Sequence, residues 1–200
     1  EGAEGWGFDE VLPYFKRSEN YYQGEDDYHG VGGPLHVSPL TDTSRLSDAF
    51  LAAAPAADLA VLDDFNRDVR EGLGYYHVTQ VNGQRCSTAK GYLSQAKHRG
   101  NLVILTKVAV EKVLIKNKCA IGVQAREKGR VKRYAARQEV ILCGGAINSP
   151  HLLMLSGVGP RRQLENMGIY VHQDLPGVGE NLQDHLDAIV QNTCKAKEGY

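Results

Sequence analysis

The chain has 200 residues, of which 42% are hydrophobic and 24% are charged. These fractions are those of an ordinary soluble protein, so they exclude an intrinsically disordered chain. The net charge is −1, from 23 basic and 24 acidic side chains. A chain without a global positive field is not expected to bind nucleic acid through its phosphates.

The cysteines and histidines show no metal-binding pattern. The four cysteines lie far apart, none forms a Cys-x-x-Cys pair, and the seven histidines are scattered. We therefore predict neither a metal site nor a disulfide framework, and expect buried free thiols in a reducing compartment. No apolar run approaches the roughly 20 residues that a membrane-spanning helix needs, so no transmembrane segment is predicted in this part of the protein.

The N-terminal part of the chain combines helical and strand patterns. A helix is predicted around Val11–Phe15, with Asp9 as its cap and Pro13 in an early turn. Alternating residues predict a strand at Leu35–Val37. A second helix is predicted from Ser44 onward, with either Ser44 or Thr43 as its cap.

The middle of the chain is dominated by strand signals. Tyr75–Thr79 is rich in aromatic and β-branched residues, and the Asn82-Gly83 turn follows it. Four apolar runs separated by short polar segments then predict an antiparallel meander. The runs are Leu102–Thr106, Val108–Ile115, Ala120–Ala125 and Glu139–Cys143. The basic residues between Arg126 and Arg133 are interpreted as a solvated hairpin in this meander rather than a binding patch.

A strand–turn–helix pattern follows the last apolar run. Gly144, Gly145 and Ala146 predict a tight turn, and Ser149 and Pro150 predict a helix cap and the first helical position. A turn without side chains lets a planar or anionic ligand approach the backbone at the positive end of a helix. On these residues alone, a ligand site and simple strand–helix packing are equally supported.

The last third of the chain is punctuated by glycine. A short helix is predicted at Arg161–Met167, closed by Gly168, with a strand at Ile169–Val171 and a loop at Asp174–His185. Two Gly-x-Gly pairs occur here, at Gly157 and Gly159 and at Gly177 and Gly179. Each pair lacks the third glycine and the strand–turn–helix context of a dinucleotide-binding fingerprint.

The segment Gly145–Gly159 resembles the second sequence signature of the glucose–methanol–choline (GMC) family of flavoenzymes. It contains a small pair, Ser-Pro, two aliphatic residues and Ser-Gly-aliphatic-Gly in that order. Four further stretches resemble the family in order and rough spacing: Trp6–Glu19, Gly33–Val37, Gly83–Leu93 and Asp174–His185. On these five matches the chain is identified as a member of the family, most similar to its bacterial choline dehydrogenase and aliphatic alcohol dehydrogenase branch.

The resemblance implies bound FAD and oxidation of the CH–OH group of a primary alcohol, choline-like or aliphatic, by hydride transfer to flavin N5. The implied cofactor-binding residues are Val110, through its backbone, and Gly144, Gly145, Ala146, Ser149 and Pro150. His185 and Asp187 correspond to the substrate pocket. Asp187 is one methylene shorter than the glutamate that choline oxidisers place there, which makes longer neutral alcohols more credible. The partners implied are a small-molecule alcohol and an electron acceptor, either oxygen or a quinone.

The family's phosphate-binding glycine motif and its main catalytic base are not found in this sequence. The chain is therefore expected to be an internal portion of a longer enzyme, without a catalytic residue of its own and inactive alone. An α+β fold is predicted. Residues 1–83 are assigned mainly to an antiparallel-sheet substrate domain, residues 84–185 to part of the FAD-binding domain with its β-meander, and residues 186–200 to a further substrate-domain segment. The expected location is cytoplasmic, or peripheral at the inner membrane.

Two alternatives stay open at this point. The GMC family includes hydroxynitrile lyases, which keep FAD without redox turnover. The chain could also belong to a pseudoenzyme, or be a non-catalytic fragment that serves only as a structural module. Flavin bleaching by an alcohol distinguishes an oxidoreductase from a lyase, and a downstream catalytic histidine distinguishes an enzyme from a pseudoenzyme.

Overall fold

A computed structural model describes residues 4–191 and residue 193. The fold is α+β, as predicted. The described residues form two compact units, residues 4–103 with 193 and residues 104–191. The division after Val103 falls later than the predicted boundary after Gly83, and the assignment of either unit to a substrate or flavin domain stays a prediction.

The first unit contains a four-stranded sheet. Its strands, in sheet order, are β1 (Glu19–Tyr21), β2 (Leu35–Ser38), β3 (Val78–Val81) and β4 (Gln84–Arg85). The first pair is parallel and the other two pairs are antiparallel. The predicted strand at Leu35–Val37 is confirmed, and so is the hairpin turn, where Asn82 and Gly83 have φ of 50° and 71°. The strand predicted at Tyr75–Thr79 begins only at Val78.

Helices accompany this sheet. They are α1 (Phe8–Ser18), α2 (Arg45–Ala53) with a 3₁₀ turn at Ala54–Ala57, and α3 (Ser94–Ala96) after a π-helical turn at Ala89–Leu93. Of the two predicted caps it is Ser44 that caps α2, because its hydroxyl accepts a hydrogen bond from Leu46 N–H at 3.2 Å. The predicted start of α1 is wrong: Gly7 precedes the helix, Asp9 lies in its first turn, and Pro13 lies inside it.

The second unit begins with a three-stranded antiparallel meander. Its strands are β5 (Val108–Lys116), β6 (Cys119–Glu127) and β7 (Arg130–Ala135). The meander is confirmed. The strands predicted at Leu102–Thr106 and Glu139–Cys143 are wrong, because neither range forms a strand. A strand needs a hydrogen-bonding partner along its edge, and no described residue pairs with either run. Their apolar side chains stay exposed, 78% at Val103 and 73% at Ile141.

Two helices and a short parallel pair of strands complete this unit. They are α4 (Gly145–Leu155), β8 (Val158–Gly159), α5 (Arg161–Asn166) and β9 (Gln173–Asp174). Helix α4 begins before the predicted cap, so Ser149 and Pro150 lie inside it. Gly168 closes α5 with φ of 68°, as predicted. The strand predicted at Ile169–Val171 is wrong, because the pairing with β8 occurs two residues later.

Buried side chains are few in both units. Leu164 is 1% exposed, Ala125 is completely buried and Val113 is 7% exposed. Cys86 is a buried free thiol, whereas the thiols of Cys119 and Cys143 are exposed, which corrects the prediction that the cysteines are buried. None of the helices in the described ranges is long and apolar enough to cross a membrane.

Candidate cofactor site

A cavity of about 520 Å³ lies between the meander and helix α4. Its apolar walls come from Val110 and Val123 on the strands and from Leu152 and Leu155 on the helix. Three polar side chains also line it: Asn148, Ser149 and His151. The volume falls within the range of roughly 300–1,000 Å³ that is usual for small-molecule sites, and the mixture of apolar walls with a few polar groups is also typical.

The structure brings several of the predicted cofactor residues together. Val110, Gly144 and Ser149 all line this cavity, although β6, β7 and a segment without regular secondary structure lie between Val110 and Gly144 in the chain. The remaining predicted residues, Gly145, Ala146 and Pro150, belong to the same helix α4. The sequence prediction therefore selected residues that converge on one side of the meander.

The start of α4 depends on glycine for its backbone conformation. Gly145 has φ of 82°, a left-handed conformation that other residues rarely adopt, and a Cβ built there would meet no atom within 4 Å. At Gly144, a Cβ would lie 3.1 Å from the Cβ of Asn148. Ser149 accepts a hydrogen bond from the Gly144 N–H at 3.0 Å. No side chain caps the start of α4, so its first N–H groups can receive an anionic or polar group of a ligand.

Ser156 connects the two walls of the cavity. Its buried hydroxyl accepts a hydrogen bond from Val113 N–H at 2.7 Å and donates one to the Leu152 carbonyl at 2.6 Å. Strand β5 bulges between Val110 and Lys112, just before this contact. The hydroxyl therefore fixes the end of α4 against the bulged strand. The sequence analysis identified Ser156 only as a position in the family signature and did not predict this contact.

The predicted substrate-pocket residues lie elsewhere in the same unit. His185 is fully exposed, and its backbone N–H is bonded to the carboxylate of Asp184 at 2.8 Å. Asp187 is also exposed and follows in a segment without regular secondary structure. Neither lines the cavity beside α4, so their place in a substrate pocket stays a prediction.

The sequence profile of GMC oxidoreductases matches residues 1–187. The chain belongs to the GMC oxidoreductase family. It is 46% identical over 196 residues to an oxygen-dependent choline dehydrogenase of Photobacterium profundum, which covers 97% of this chain and 34% of the relative. An oxygen-dependent choline dehydrogenase of Brucella anthropi is 43% identical over 193 residues, covering 96% of this chain and 35% of the relative. The chain thus spans about a third of the length of the curated relatives it matches.

Solved GMC-type structures share the fold. Pyridoxine 4-oxidase from Mesorbium loti superposes with a TM-score of 0.78 at 34% identity, over 86% of this chain and 34% of that protein. An FAD-dependent oxidoreductase from Chaetomium thermophilum superposes with a TM-score of 0.83 at 29% identity, over 92% of this chain and 34% of that protein. The family resemblance found in the sequence is confirmed, and FAD is the cofactor of this family.

Replacing Ser156 with alanine in the GMC protein is expected to lower the free energy of unfolding by about 1–3 kcal/mol, because the buried N–H of Val113 loses its acceptor. The affinity for FAD should fall with it, since the cavity loses the link between its walls. Urea unfolding and flavin titration measure the two effects. Ser94→Ala is the matched control, because Ser94 also donates to a carbonyl four residues earlier, but on an exposed helix. Equal stability of the two variants would contradict the assignment.

A buried ionic cluster lies in the first unit of the GMC chain. We call it the His29 cluster, and it comprises Glu19, Tyr21, His29, Asp64 and His77. The His29 ring is 3% exposed, with Nε2 2.7 Å from the Asp64 carboxylate and Nδ1 3.0 Å from that of Glu19. Carboxylates only accept hydrogen bonds, so both ring nitrogens donate when the imidazole is protonated. Tyr21 stacks on the ring at 3.7 Å between centroids.

Burial and neighbouring groups shift the pKa values of three side chains in this cluster. Burial, together with the nearby Asp64 carboxylate, raises the pKa of Tyr21 to about 12. For Asp64, burial acts to raise the pKa, but hydrogen bonds from Asn66 N–H and His29 outweigh it and leave the pKa below its ordinary value. Burial lowers the pKa of His77 against the attraction of Asp64. Asp64 is therefore the buried negative charge of the cluster, and hydrogen bonds from Asn66 N–H and His29 stabilise that charge.

The His29 cluster joins segments that are distant in the sequence. It connects β1 and the turn after it to the irregular loop that contains Asp64 and Arg67, whose Nε donates to the Asp64 carboxylate at 3.1 Å. Sequence reasoning did not identify any member, because the residues follow no spacing pattern and Asp64 lies in a segment without regular structure. We interpret the His29 cluster as the set of contacts that holds the loop containing Asp64 against the sheet.

Proposed function

We propose that this chain supplies a cofactor-binding part of an FAD-dependent oxidoreductase, and that the complete enzyme oxidises the CH–OH group of a primary alcohol, choline-like or aliphatic. The observation that carries the proposal is the convergence of Val110, Gly144 and Ser149 on one cavity beside the uncapped start of α4. The names of the relatives, oxygen-dependent choline dehydrogenases, support the substrate class.

Held by this chain beside Val110, Gly144 and Ser149, FAD would supply the acceptor, at N5, for the hydride of the alcohol carbon. The residues of this chain bind and orient. Val110 lies on β5, an edge strand of the meander, so backbone groups on one side of that strand are open to a ligand. The first N–H groups of α4 favour negative charge, and the apolar side chains of the cavity exclude water.

The substrate-side roles belong to the same proposal. His185 would donate a hydrogen bond to the developing alkoxide, and Asp187 would attract the ammonium group of a choline-like alcohol. The base that removes the hydroxyl proton is assigned to a part of the enzyme outside this sequence. Oxygen or a quinone would reoxidise the enzyme, in the cytoplasm or at the inner membrane.

The test is anaerobic addition of choline, or of a longer aliphatic alcohol, to the full-length protein. Loss of the oxidised flavin absorbance is the expected result. A yellow protein that keeps its absorbance with every alcohol would be a lyase-type member of the family and would overturn the alcohol-oxidising role. A product that purifies colourless and stays so when FAD is supplied would overturn the cofactor assignment.

Replacing Gly145 with leucine is expected to weaken FAD binding by about 10-fold to 100-fold, which corresponds to the usual cost of holding such a residue at positive φ. The new side chain would also occupy the open space beside the turn. Flavin occupancy after dialysis measures the effect. Gly168→Leu is the matched control, because Gly168 also has positive φ and open space but follows α5, outside the cavity. Unchanged occupancy in Gly145→Leu would show that the turn does not approach the cofactor.

A further inference from the structure

The meander of the second unit carries a concentrated positive charge. Between Lys107 and Arg137 there are ten basic and two acidic residues, a net charge of +8 (10 − 2) in a chain of net charge −1. All ten basic residues are exposed. They are Lys107, Lys112, Lys116, Lys118, Arg126, Lys128, Arg130, Lys132, Arg133 and Arg137. The sequence pattern indicates a solvated hairpin rather than a binding patch, and the structure adds to that hairpin the cations of β5 and of the turn after it.

Only two of these cations are paired within the part of the chain that the structure describes. Arg126 contacts Glu111, with Nε 2.7 Å from the carboxylate, and Lys132 contacts Glu127. Both acidic residues of the region are used in these pairs. The other eight cations therefore face their surroundings without a carboxylate partner among the described residues.

The cations are distributed over both faces of the meander and over the turns at its ends, and Arg130 and Lys132 lie on the face opposite to Arg133. Lys112, Gln124 and Arg133 lie opposite one another across the three strands. Further cations lie at the turns at both ends of the strands, which span about 30 Å for nine residues. The cations thus extend over the sheet and beyond both of its ends instead of surrounding a single point. Covering eight unpaired cations with another part of the same protein would require compensating anions, since an unpaired buried charge is strongly unfavourable.

We propose that the face of the meander that carries Lys112, Arg126 and Arg133, together with the cations of the adjoining turns, docks the enzyme on an anionic lipid bilayer. An extended layer of anionic headgroups matches an extended array of cations, and each lysine or arginine near such a surface strengthens binding about 5-fold. This deepens the peripheral membrane location proposed above by assigning it a surface. It does not depend on the alcohol chemistry.

The test is cosedimentation of the full-length, FAD-loaded enzyme with vesicles. We expect binding to phosphatidylcholine vesicles that contain roughly one third phosphatidylglycerol, weak binding to phosphatidylcholine alone, and release as the salt is raised from about 0.1 M to 1 M. The double variant Lys112→Gln with Arg133→Gln should bind anionic vesicles about 30-fold more weakly. Neutralising both leaves β5 and β7 intact, because neither side chain has an ion-pair partner among the described residues.

The matched control is the double variant Lys97→Gln with Arg99→Gln. It removes the same charge from two exposed residues of the first unit and should bind as the unaltered enzyme does. No binding to anionic vesicles at low salt would overturn the proposal, as would equal weakening in the two double variants. Flavin reduction by alcohol, measured on the same samples, reports separately on the proposed function.

Discussion

Replacing Asp64 with asparagine is expected to lower the free energy of unfolding by about 3–5 kcal/mol, the usual effect of removing one partner from a buried ion pair. The amide keeps the shape of the side chain but removes its charge, and that side chain is only 4% exposed. His29 and Arg67 would then lack the carboxylate that both contact, at 2.7 Å and 3.1 Å. The loop that contains Asp64 should detach from the sheet at lower denaturant.

Urea unfolding of the full-length protein measures this effect as a shift of the midpoint. The matched control is Asp63→Asn, which removes a charge from the neighbouring but exposed residue and should change stability by less than about 0.5 kcal/mol. Because the pKa of Asp64 is lowered in the folded protein, its stabilisation is present above the ordinary aspartate pKa near 3.9 and is lost as the pH falls through the lowered value. An equal midpoint in the two variants would contradict the role of the cluster.

Local signals in this sequence predicted local structure well. Ser44 caps α2, Asn82 and Gly83 form the hairpin turn, and Gly168 ends α5. Each of these features depends on the conformation or hydrogen bonds of a few consecutive residues. A short stretch of sequence therefore contains the information that determines them.

Predictions of strands failed where a strand needs a hydrogen-bonding partner. Predictions of helix starts failed where the helix begins before the proline expected in its first turn. Leu102–Thr106 and Glu139–Cys143 have the composition of strands, but a strand is defined by pairing, and no described residue pairs with them. Pro13 and Pro150 indicated helix starts, yet both helices begin earlier, after Gly7 and Gly144. Proline is compatible with the first turn of a helix but does not determine where that turn begins.

The two sites differ in how far the sequence could predict them. Val110, Gly144 and Ser149 were predicted through the family resemblance, because a contact made by strand backbone leaves no side-chain pattern. His29 and Asp64 follow no known motif, and their contact depends on how an irregular loop folds onto the sheet. Burial of an imidazole between two carboxylates is a tertiary property, so the structure was needed to find it.

A large backbone effect is expected at Gly157, which follows helix α4 with φ of 82°. A Cβ there would lie 2.2 Å from the carbonyl oxygen of Tyr170 and 3.0 Å from the ring of His172. The carbonyl of Gly157 also accepts hydrogen bonds from His172 N–H at 2.8 Å and Gln173 N–H at 3.1 Å. Gly157→Ala would force the two segments apart, and we expect a loss of about 3 kcal/mol or more, since strained backbone alone costs about 1–3 kcal/mol.

A comparison with Gly168→Ala separates the clash from the conformational strain. Gly168 has φ of 68°, but a Cβ there would meet no atom within 4 Å, so only the cost of about 1–2 kcal/mol for a left-handed residue is expected. Urea unfolding of both variants gives the difference. Because Gly157 joins the end of α4 to the β8–β9 pair, its replacement should also reduce FAD affinity, whereas Gly168→Ala should not. An equal loss of unfolding free energy in the two variants would mean that the segment at Tyr170 moves away from the new Cβ at no energetic cost. The contact with that segment would then not stabilise the end of α4.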